Sequence, residues 1–325
     1  MVERKSTMHQ SRRSSSVKKA ENQDLGKRVS HLLEEGTVES LTKGKQLSQD
    51  NLKYQWDFYS ELAFQRGVIQ DKLLSAIAQS CLTDFKFKSW QRVIGWKYSN
   101  HPLCTIGSIK QYGGRFNIGE DISQANTLKT FQAFYLAEDQ ATAQVEALGS
   151  QVSSEKLTVE DVALTNKSSY SCISISGSLD KVIDLTKKSS LTKFVRLISS
   201  FTIPQSIYDS AKRLGIPQPT LINTTTLLLE SFLSSSWRKE PAQFDIPANS
   251  QIFGQLAHQA GIDGILFRST KTGKNCLAVF PSNFGGGSSS LELDDEPPEI
   301  WIPKIINLNN FGLCEKTAMQ VKAKK

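Results

Sequence analysis

The chain has 325 residues, of which 38% are hydrophobic and 22% are charged, a composition that fits a soluble globular protein of one large domain or two small ones. The formal net charge is +7, but residues 1–50 and residues 315–325 contribute +3 each, which leaves +1 for the rest of the chain. Because a nucleic-acid-binding protein carries its basic stripe on a folded face, this distribution argues against nucleic-acid binding.

The cysteines and histidines argue against a metal site. Five cysteines are scattered along the chain without a Cys-x-x-Cys pair, and the four histidines are equally dispersed, so we predict neither a zinc ribbon nor a metal-binding cluster. An odd number of scattered cysteines in a chain of this size favours a reducing compartment over a disulfide framework. The N-terminus lacks the apolar segment of a secretory signal, and no run approaches the ~20 apolar residues of a membrane span. We therefore expect a cytoplasmic protein without a membrane partner.

The N-terminal quarter of the chain divides into a tail and a helical extension. Residues 1–46 are rich in Ser, Lys, Arg and Glu, and we predict a disordered polar tail because so few apolar groups cannot offset the entropy of ordering. In residues 47–84, apolar side chains such as Tyr54 and Phe58 recur every three to four positions. This spacing predicts two helices with a break near Gly67 and an apolar face that packs against a core.

The segment 85–284 predicts the main domain. Apolar runs bounded by turn residues predict strands over Trp90–Ile94, Thr130–Ala137, Ser171–Ser176, Val182–Leu185, Gly264–Phe267 and Cys276–Phe280. Helical periodicity and capping residues predict helices over Asp139–Leu148, Leu191–Ser199, Gln205–Leu214, Thr224–Ser235 and Ser250–Ala260. Because strands and helices do not alternate regularly, we predict an α+β fold and not a doubly wound sheet.

The end of the chain, residues 285–325, predicts a linker and a C-terminal tail. Gly285–Ser290 has the Gly- and Ser-rich composition of a flexible linker. The stretch Ile300–Leu313 is a candidate for a strand that packs back onto the domain, and a basic tail follows it.

One block stands out as a candidate site. A Gly113-Gly114 pair permits a tight turn and close approach of a ligand, and Arg115 follows with a planar fork of donors that suits phosphate oxygens. The strand that comes next carries Tyr135, and the helix after it carries Glu146 at the border of its buried stripe. The ordered combination, and none of these residues alone, predicts a cleft.

The same residues resemble a known family. The segments Tyr112–Asn117 and Tyr135–Ala137, with Glu146 after them, resemble the core motif of RES domains, which are named for their Arg, Glu and Ser. The late segment Gly261–Ser269 is similar to the family's Asp-Gly strand that ends in Ser, and Gln91–Val93 is similar to its early strand with an Arg. The resemblance spans about residues 88–283.

The resemblance implies a fold and a site. It implies a mixed β-sheet core like that of ADP-ribosyltransferases, here with the helical N-terminal extension and a helical insertion at about residues 187–240. NAD would be the substrate and no further cofactor would be needed. Arg115, Tyr135 and Glu146 would be catalytic residues, and Arg92, Arg115, Tyr135 and Ser269 would bind NAD. Which of the two arginines contacts the phosphates is left open.

The resemblance also implies an activity. RES family members include toxins that degrade NAD at the nicotinamide–ribose bond by phosphorolysis or hydrolysis, and many are neutralised by an Xre-type antitoxin. The long separation between Glu146 and Ser269 and the terminal extensions favour alternatives as well. The two alternatives are a mono-ADP-ribosyltransferase that modifies a protein and a non-catalytic interaction protein. The acceptor and the oligomeric state are not predicted.

Overall fold

A computed structural model describes residues 38–125, 128–148, 169–285, 288–297, 299–300 and 302–312. By their contacts these residues form two compact units, one of residues 38–55 and 206–218, the other of the remaining described residues. The second unit contains the β-sheet and every residue of the candidate site.

Helices and strands are both prominent in the described residues, as an α+β fold requires. The helices are α1 (Val38–Val68), α2 (Gln70–Ala78), α3 (Glu120–Ala125), α4 (Gln140–Leu148), α5 (Thr192–Ile198), α6 (Gln205–Leu214), α7 (Thr225–Leu233), α8 (Lys239–Phe244) and α9 (Asn249–Gln259). The strands are β1 (Cys81–Gly95), β2 (Phe134–Ala137), β3 (Tyr170–Asp184), β4 (Gly264–Arg268), β5 (Asn275–Val279), β6 (Ser290–Leu293) and β7 (Ile305–Ile306). None of the helices in the described ranges has the length and apolar content that a bilayer span needs.

The N-terminal helices confirm one prediction and correct another. A single residue separates the end of α1 from the start of α2, which confirms the predicted break near Gly67. However, α1 begins at Val38, so residues 38–46 are helical and the tail predicted over residues 1–46 is wrong for them. Leu, Lys and Gln in this stretch are good helix formers, and a lack of apolar groups argues against core burial but not against helicity. Residues 1–37 lie outside the described part of the chain.

The strands form one mixed sheet in the order β1-β2-β5-β4-β3-β6-β7. Strand β1 also pairs along its length with β3. The five strands β1, β2, β5, β4 and β3 therefore form a closed circle of pairings. The pairing of β3 with β4 is parallel, and the others are antiparallel. This arrangement confirms the predicted α+β class with a mixed sheet.

Two of the strands are much longer than predicted. Strand β1 continues well before the predicted Trp90–Ile94, and the two segments predicted around residues 171–185 are a single strand, β3. The register between them shifts between Phe87 and Trp90, where Ser89 has a φ of 56°. A bulge of this kind interrupts the alternation of apolar and polar side chains on which a strand prediction depends.

Two apolar clusters lie on the two faces of the sheet. One contains residues of α2, α5, α7 and α9 together with Phe116 and the inward side chains of β4 and β5. The other contains Phe134 and Leu136 of β2 with residues of β3, β6 and β7. Successive residues of β2 therefore point to opposite clusters, as the pleat of a strand requires.

The chain after the predicted main domain adds to the sheet. Strand β6 pairs with β3, and β7 pairs with β6. The flexible linker predicted over Gly285–Ser290 is therefore wrong at its end: Ser289 is buried and its Oγ donates a hydrogen bond of 2.7 Å to Oδ2 of Asp263. Composition predicts flexibility here, but the carboxylate of Asp263 holds Ser289, and pairing with β3 holds Ser290. Strand β7 lies within the stretch predicted to pack back, and residues 313–325 are outside the described ranges.

Candidate active site

A cleft of about 470 Å³ collects most of the residues that the sequence singled out. It is lined by parts of β1, β2, β5 and α4, by the Gly-Gly-Arg turn, by residues 235–238 and by the turn after β4. Arg115, Tyr135 and Glu146 lie together on its wall. Two further cations, Arg238 and Lys271, line it as well.

The Gly-Gly-Arg turn is shaped by its two glycines. Gly113 has a φ of +83°, which only glycine adopts at low cost. A Cβ on Gly114 would lie 2.5 Å from Oη of Tyr135 and 2.6 Å from Oδ1 of Asn117, closer than real contacts allow. The turn therefore has no room for a side chain until Arg115, whose position follows from the fit of the glycines against Tyr135 and Asn117.

Buried Asn117 is the centre of the hydrogen bonds that hold this turn. Its Oδ1 accepts from the backbone N–H of Gly114 and from the hydroxyl of Tyr135, both at 2.9 Å. The Tyr135 hydroxyl in turn accepts from the N–H of Phe116 at 2.9 Å. Burial raises the pKa of Tyr135, so its hydroxyl stays protonated and its donor and acceptor sites are both engaged. Tyr135 consequently offers the cleft its ring.

A residue that sequence reasoning missed secures the other side of the turn. Gln251 of α9 is buried, and its Nε2 donates to the carbonyls of Tyr112, Gly114 and Asn117 at 2.6, 3.1 and 3.1 Å. A Gln on a helix carries no local signal for such a role, because its three acceptors lie more than 130 residues away in the sequence. Only the tertiary fold identifies it.

Arg115 is anchored by the insertion. Its Nη1 donates 2.9 Å hydrogen bonds to the carbonyls of Phe232 and Ser234, at the end of α7. Burial lowers the pKa of this guanidinium, and the negative charge of Glu146 opposes that shift. Since the pKa of an arginine is far above neutrality, the side chain remains a cation. Its position thus depends on residues that follow it by more than one hundred positions.

A Trp–Arg pair from the insertion was also missed. The Cζ atom of Arg238 lies 4.6 Å from the centre of the Trp237 ring, and the Cζ atom of Arg115 lies 5.7 Å from it. Two guanidinium groups thus contact one aromatic ring at the wall of the cleft. The signal available in the sequence was the run Trp237-Arg238-Lys239 after a row of serines, which does not by itself indicate a site.

Glu146 and Ser269 are joined directly. Ser269 Oγ donates a 2.5 Å hydrogen bond to Oε1 of Glu146. The hydroxyl itself accepts from the backbone N–H groups of Lys271 and Thr272, at 3.2 and 3.3 Å. Ser269 is buried, whereas Glu146 is half-buried and lines the cleft. Ser269 is not among the residues that line the cleft, so its contact with NAD stays a prediction, and here it orients the carboxylate from behind.

The helix that carries Glu146 has a defined start. The Oδ1 atom of Asp139 accepts a 2.7 Å hydrogen bond from the N–H of Thr142, which confirms Asp139 as the predicted cap of α4. Gly149, the predicted stop, lies outside the described residues. The cap fixes the first turn of α4, and Lys271 Nζ donates to the carbonyl of Val145 at 2.9 Å near its end.

Arg92 does not reach the cleft, and its predicted role in binding is wrong on this geometry. Its Cζ atom lies 3.8 Å above the ring of Phe134, and its Nη2 donates to the carbonyl of Cys104 at 2.9 Å. Along β1 the neighbours Gln91 and Val93 line the cleft. Side chains alternate along a strand, so Arg92 points to the opposite face of the sheet.

The cleft contains one thiol, which is unsuited to nucleophilic attack. Burial raises the pKa of Cys276 to about 12, and the charges of Glu146 and Glu138 add to the shift. The thiol is therefore neutral at physiological pH and packs as an apolar group. Within the residues that the structure describes, no three His, Cys, Asp or Glu side chains are grouped so that they could hold a metal ion.

Comparison with known proteins gives one family and a structural neighbour. The sequence model described as the RES domain matches residues 90–298 of the chain. A solved structure, the crystal structure of the M. tuberculosis MbcT–MbcA toxin–antitoxin complex, contains a chain with 17% identity and a TM-score of 0.39. The match covers 75% of this chain and 97% of that chain. No curated protein matches significantly.

Proposed function

The chain belongs to the RES domain family, and from that membership and the geometry of the cleft we propose that it binds NAD and cleaves the bond between nicotinamide and ribose. The observation that supports this most is the meeting of Arg115, Tyr135 and Glu146 on one wall, with Ser269 bonded to the carboxylate. These residues come from four separate parts of the chain. A dinucleotide needs cations, an aromatic surface and a carboxylate in one place, and function is argued from such a site more safely than from a fold.

Each group has a role in the proposed reaction. The guanidinium groups of Arg115 and Arg238 bind the diphosphate of NAD through charge-assisted hydrogen bonds. The rings of Tyr135 and Trp237 supply flat apolar surfaces against which nicotinamide can stack. Both guanidinium groups already flank Trp237, so a phosphate bound between them lies beside an aromatic surface.

Glu146 acts on the sugar. Cleavage breaks the bond between ribose C1 and the nicotinamide nitrogen, and the electron pair passes to that nitrogen and cancels its positive charge. Positive charge develops on the ribose, where a fixed carboxylate stabilises the transition state electrostatically. An acceptor oxygen, from phosphate or water, then forms the new bond to ribose C1, and water releases its proton to solvent. The Ser269 hydrogen bond holds the carboxylate in place during these steps.

The direct experiment is incubation of the purified full chain with NAD labelled in its adenine, with and without inorganic phosphate. We expect free nicotinamide to appear, with ADP-ribose 1″-phosphate as the second product if phosphate is the acceptor and ADP-ribose if water is. Label on a protein band would instead indicate a mono-ADP-ribosyltransferase. Intact NAD under both conditions, from a protein with a cooperative thermal unfolding transition, would contradict the proposal.

Ser269→Ala tests the positioning of Glu146. A hydrogen bond to a charged group contributes about 1.5–3 kcal/mol, so we expect kcat for NAD cleavage to fall about 10- to 100-fold, with KM nearly unchanged. Ser269→Thr keeps the hydroxyl and should recover part of the loss. An unchanged kcat in Ser269→Ala, or an effect on KM alone, would separate Ser269 from the carboxylate's role.

We also propose that the activity serves a toxin or effector and that an Xre-type antitoxin is its partner. Removal of cellular NAD stops growth, so a protein with this activity requires a neutralising partner until it is needed. Induced expression should arrest growth in proportion to NAD loss, and co-expression of the partner should relieve it. Growth arrest with normal NAD levels would assign the toxicity to another activity.

A further inference from the structure

A second cavity, of about 170 Å³, shares no lining residue with the cleft. Its wall is formed by the C-terminal half of α1, by α5, α7 and α9 and by residues 220–222. Most of the lining is apolar, with Phe194 and Phe232 both packed against Phe253 at 5.3 and 4.6 Å between ring centres. A cavity of about 150 Å³ with such a lining is known to hold a benzene-sized molecule, so the space matches one small apolar group.

One cation borders this apolar space. Arg66 lines the cavity, and its guanidinium lies 5.5 Å from the centre of the Tyr59 ring. Burial lowers the pKa of Arg66, and the nearby Tyr59 hydroxyl partly opposes the shift. Within the described ranges no Asp or Glu lies at ion-pair distance from Arg66. A desolvated cation without a carboxylate is costly unless an anion joins it.

The helix that carries this cation is held in place by two hydrogen bonds between a side chain and the backbone. Gln65 Nε2 donates to the carbonyl of Thr202 at 2.8 Å, and Gln65 Oε1 accepts from the N–H of Thr202 at 2.9 Å. This pair fixes α1 beside Phe201, which also lines the cavity. The helix that carries Arg66 is therefore tied to the segment that carries Phe201.

We propose that this cavity is a second ligand site that takes a small carboxylate with an apolar body, its head on Arg66 and its body among the phenylalanines. The planar guanidinium matches the two oxygens of a carboxylate. A phosphate monoester carries close to two negative charges at neutral pH and would leave one of them unmatched against apolar walls. The proposal does not depend on cleavage of NAD, since no residue of the cavity reacts.

Benzoate is the probe, and toluene is its neutral counterpart. We expect benzoate to bind the full chain in calorimetric titration and to give nuclear Overhauser effects to the rings of Phe194 and Phe253. Arg66→Met keeps an apolar stem and removes the charge, so benzoate should bind about 10- to 100-fold more weakly, the range for one hydrogen bond to a charged group. Toluene affinity should stay within about 3-fold, because its contacts are apolar. Arg196→Met removes an exposed cation outside the cavity and should bind benzoate like the wild type.

Three results would overturn this site. They are an absence of benzoate binding, equal benzoate affinity in Arg66→Met and wild type, and Overhauser effects to Tyr135 or Trp237 of the cleft in place of the phenylalanines. The Overhauser measurement uses the unaltered protein, so it decides the question even if Arg66→Met fails to fold. NAD cleavage is not part of the readout, and a chain that does not cleave NAD can still bind benzoate here.

Discussion

Glu146→Gln should reduce kcat for NAD cleavage by about 10²- to 10³-fold, the usual effect of removing one group that stabilises charge in a transition state. The amide oxygen of Gln can still accept the hydrogen bond from Ser269, so the side chain keeps its place and loses only its charge. We expect KM to change little, because the carboxylate acts on the developing cation and not on the diphosphate. The rate of nicotinamide formation is measured under single-turnover conditions, which report on the cleavage step itself.

Glu230→Gln is the matched control for this variant. Glu230 is exposed on α7 and does not line the cleft, so its activity should equal that of the wild type. A melting temperature close to that of the wild type is expected for both variants. Full activity in Glu146→Gln would remove the carboxylate from the mechanism, whatever the remaining residues do.

Arg115→Ala should lose at least about 10²-fold in kcat/KM and should also lower the free energy of unfolding. The first effect follows from the lost contact with the diphosphate. The second follows because the carbonyls of Phe232 and Ser234 lose their donor, and an unsatisfied buried group costs about 1–3 kcal/mol. Activity and denaturant unfolding are measured on the same preparation, and growth arrest on expression should disappear.

Arg92→Ala separates the two arginines. Arg92 is packed on Phe134 and bonded to Cys104 on the other face of the sheet, so its loss should lower stability and leave the KM for NAD unchanged at a temperature where the variant is folded. Arg115→Ala, in contrast, should raise KM at every temperature. A raised KM in Arg92→Ala would return Arg92 to the binding site and contradict the geometry.

The sequence predicts those elements of the fold whose apolar side chains recur regularly within the element itself. Helices α5, α6, α7 and α9 lie within one or two residues of their predicted ends, because each carries a regular apolar stripe and a capping or stop residue. Helix α8 was missed, since its six residues include a proline and carry no stripe. The lengths of β1 and β3 were missed because the two strands stabilise each other by pairing, and the bulge in their register leaves no regular pattern in either segment.

The sequence predicts those residues of the candidate site that lie beside the motif glycines or on a regular strand or helix. Arg115, Tyr135 and Glu146 could be grouped from the turn, the strand and the helix that carry them. Arg92 was placed wrongly because the face to which a strand residue points depends on register, and one step along a strand reverses it. Gln251 and Arg238 could not be found, since Gln251 bonds to residues distant in sequence and Arg238 lines a cleft whose other walls are distant in sequence.

The seat of Arg115 on the end of α7 has a consequence for engineering. The two carbonyls that receive its guanidinium come from the stretch that looked like an addition to the domain. A shortened version that joins residue 187 directly to residue 240 would keep every motif residue and yet leave that guanidinium without its acceptors. Shortened proteins built from the motif alone should therefore be inactive. Transfer of the site to another protein has to include the stretch that supplies these two carbonyls.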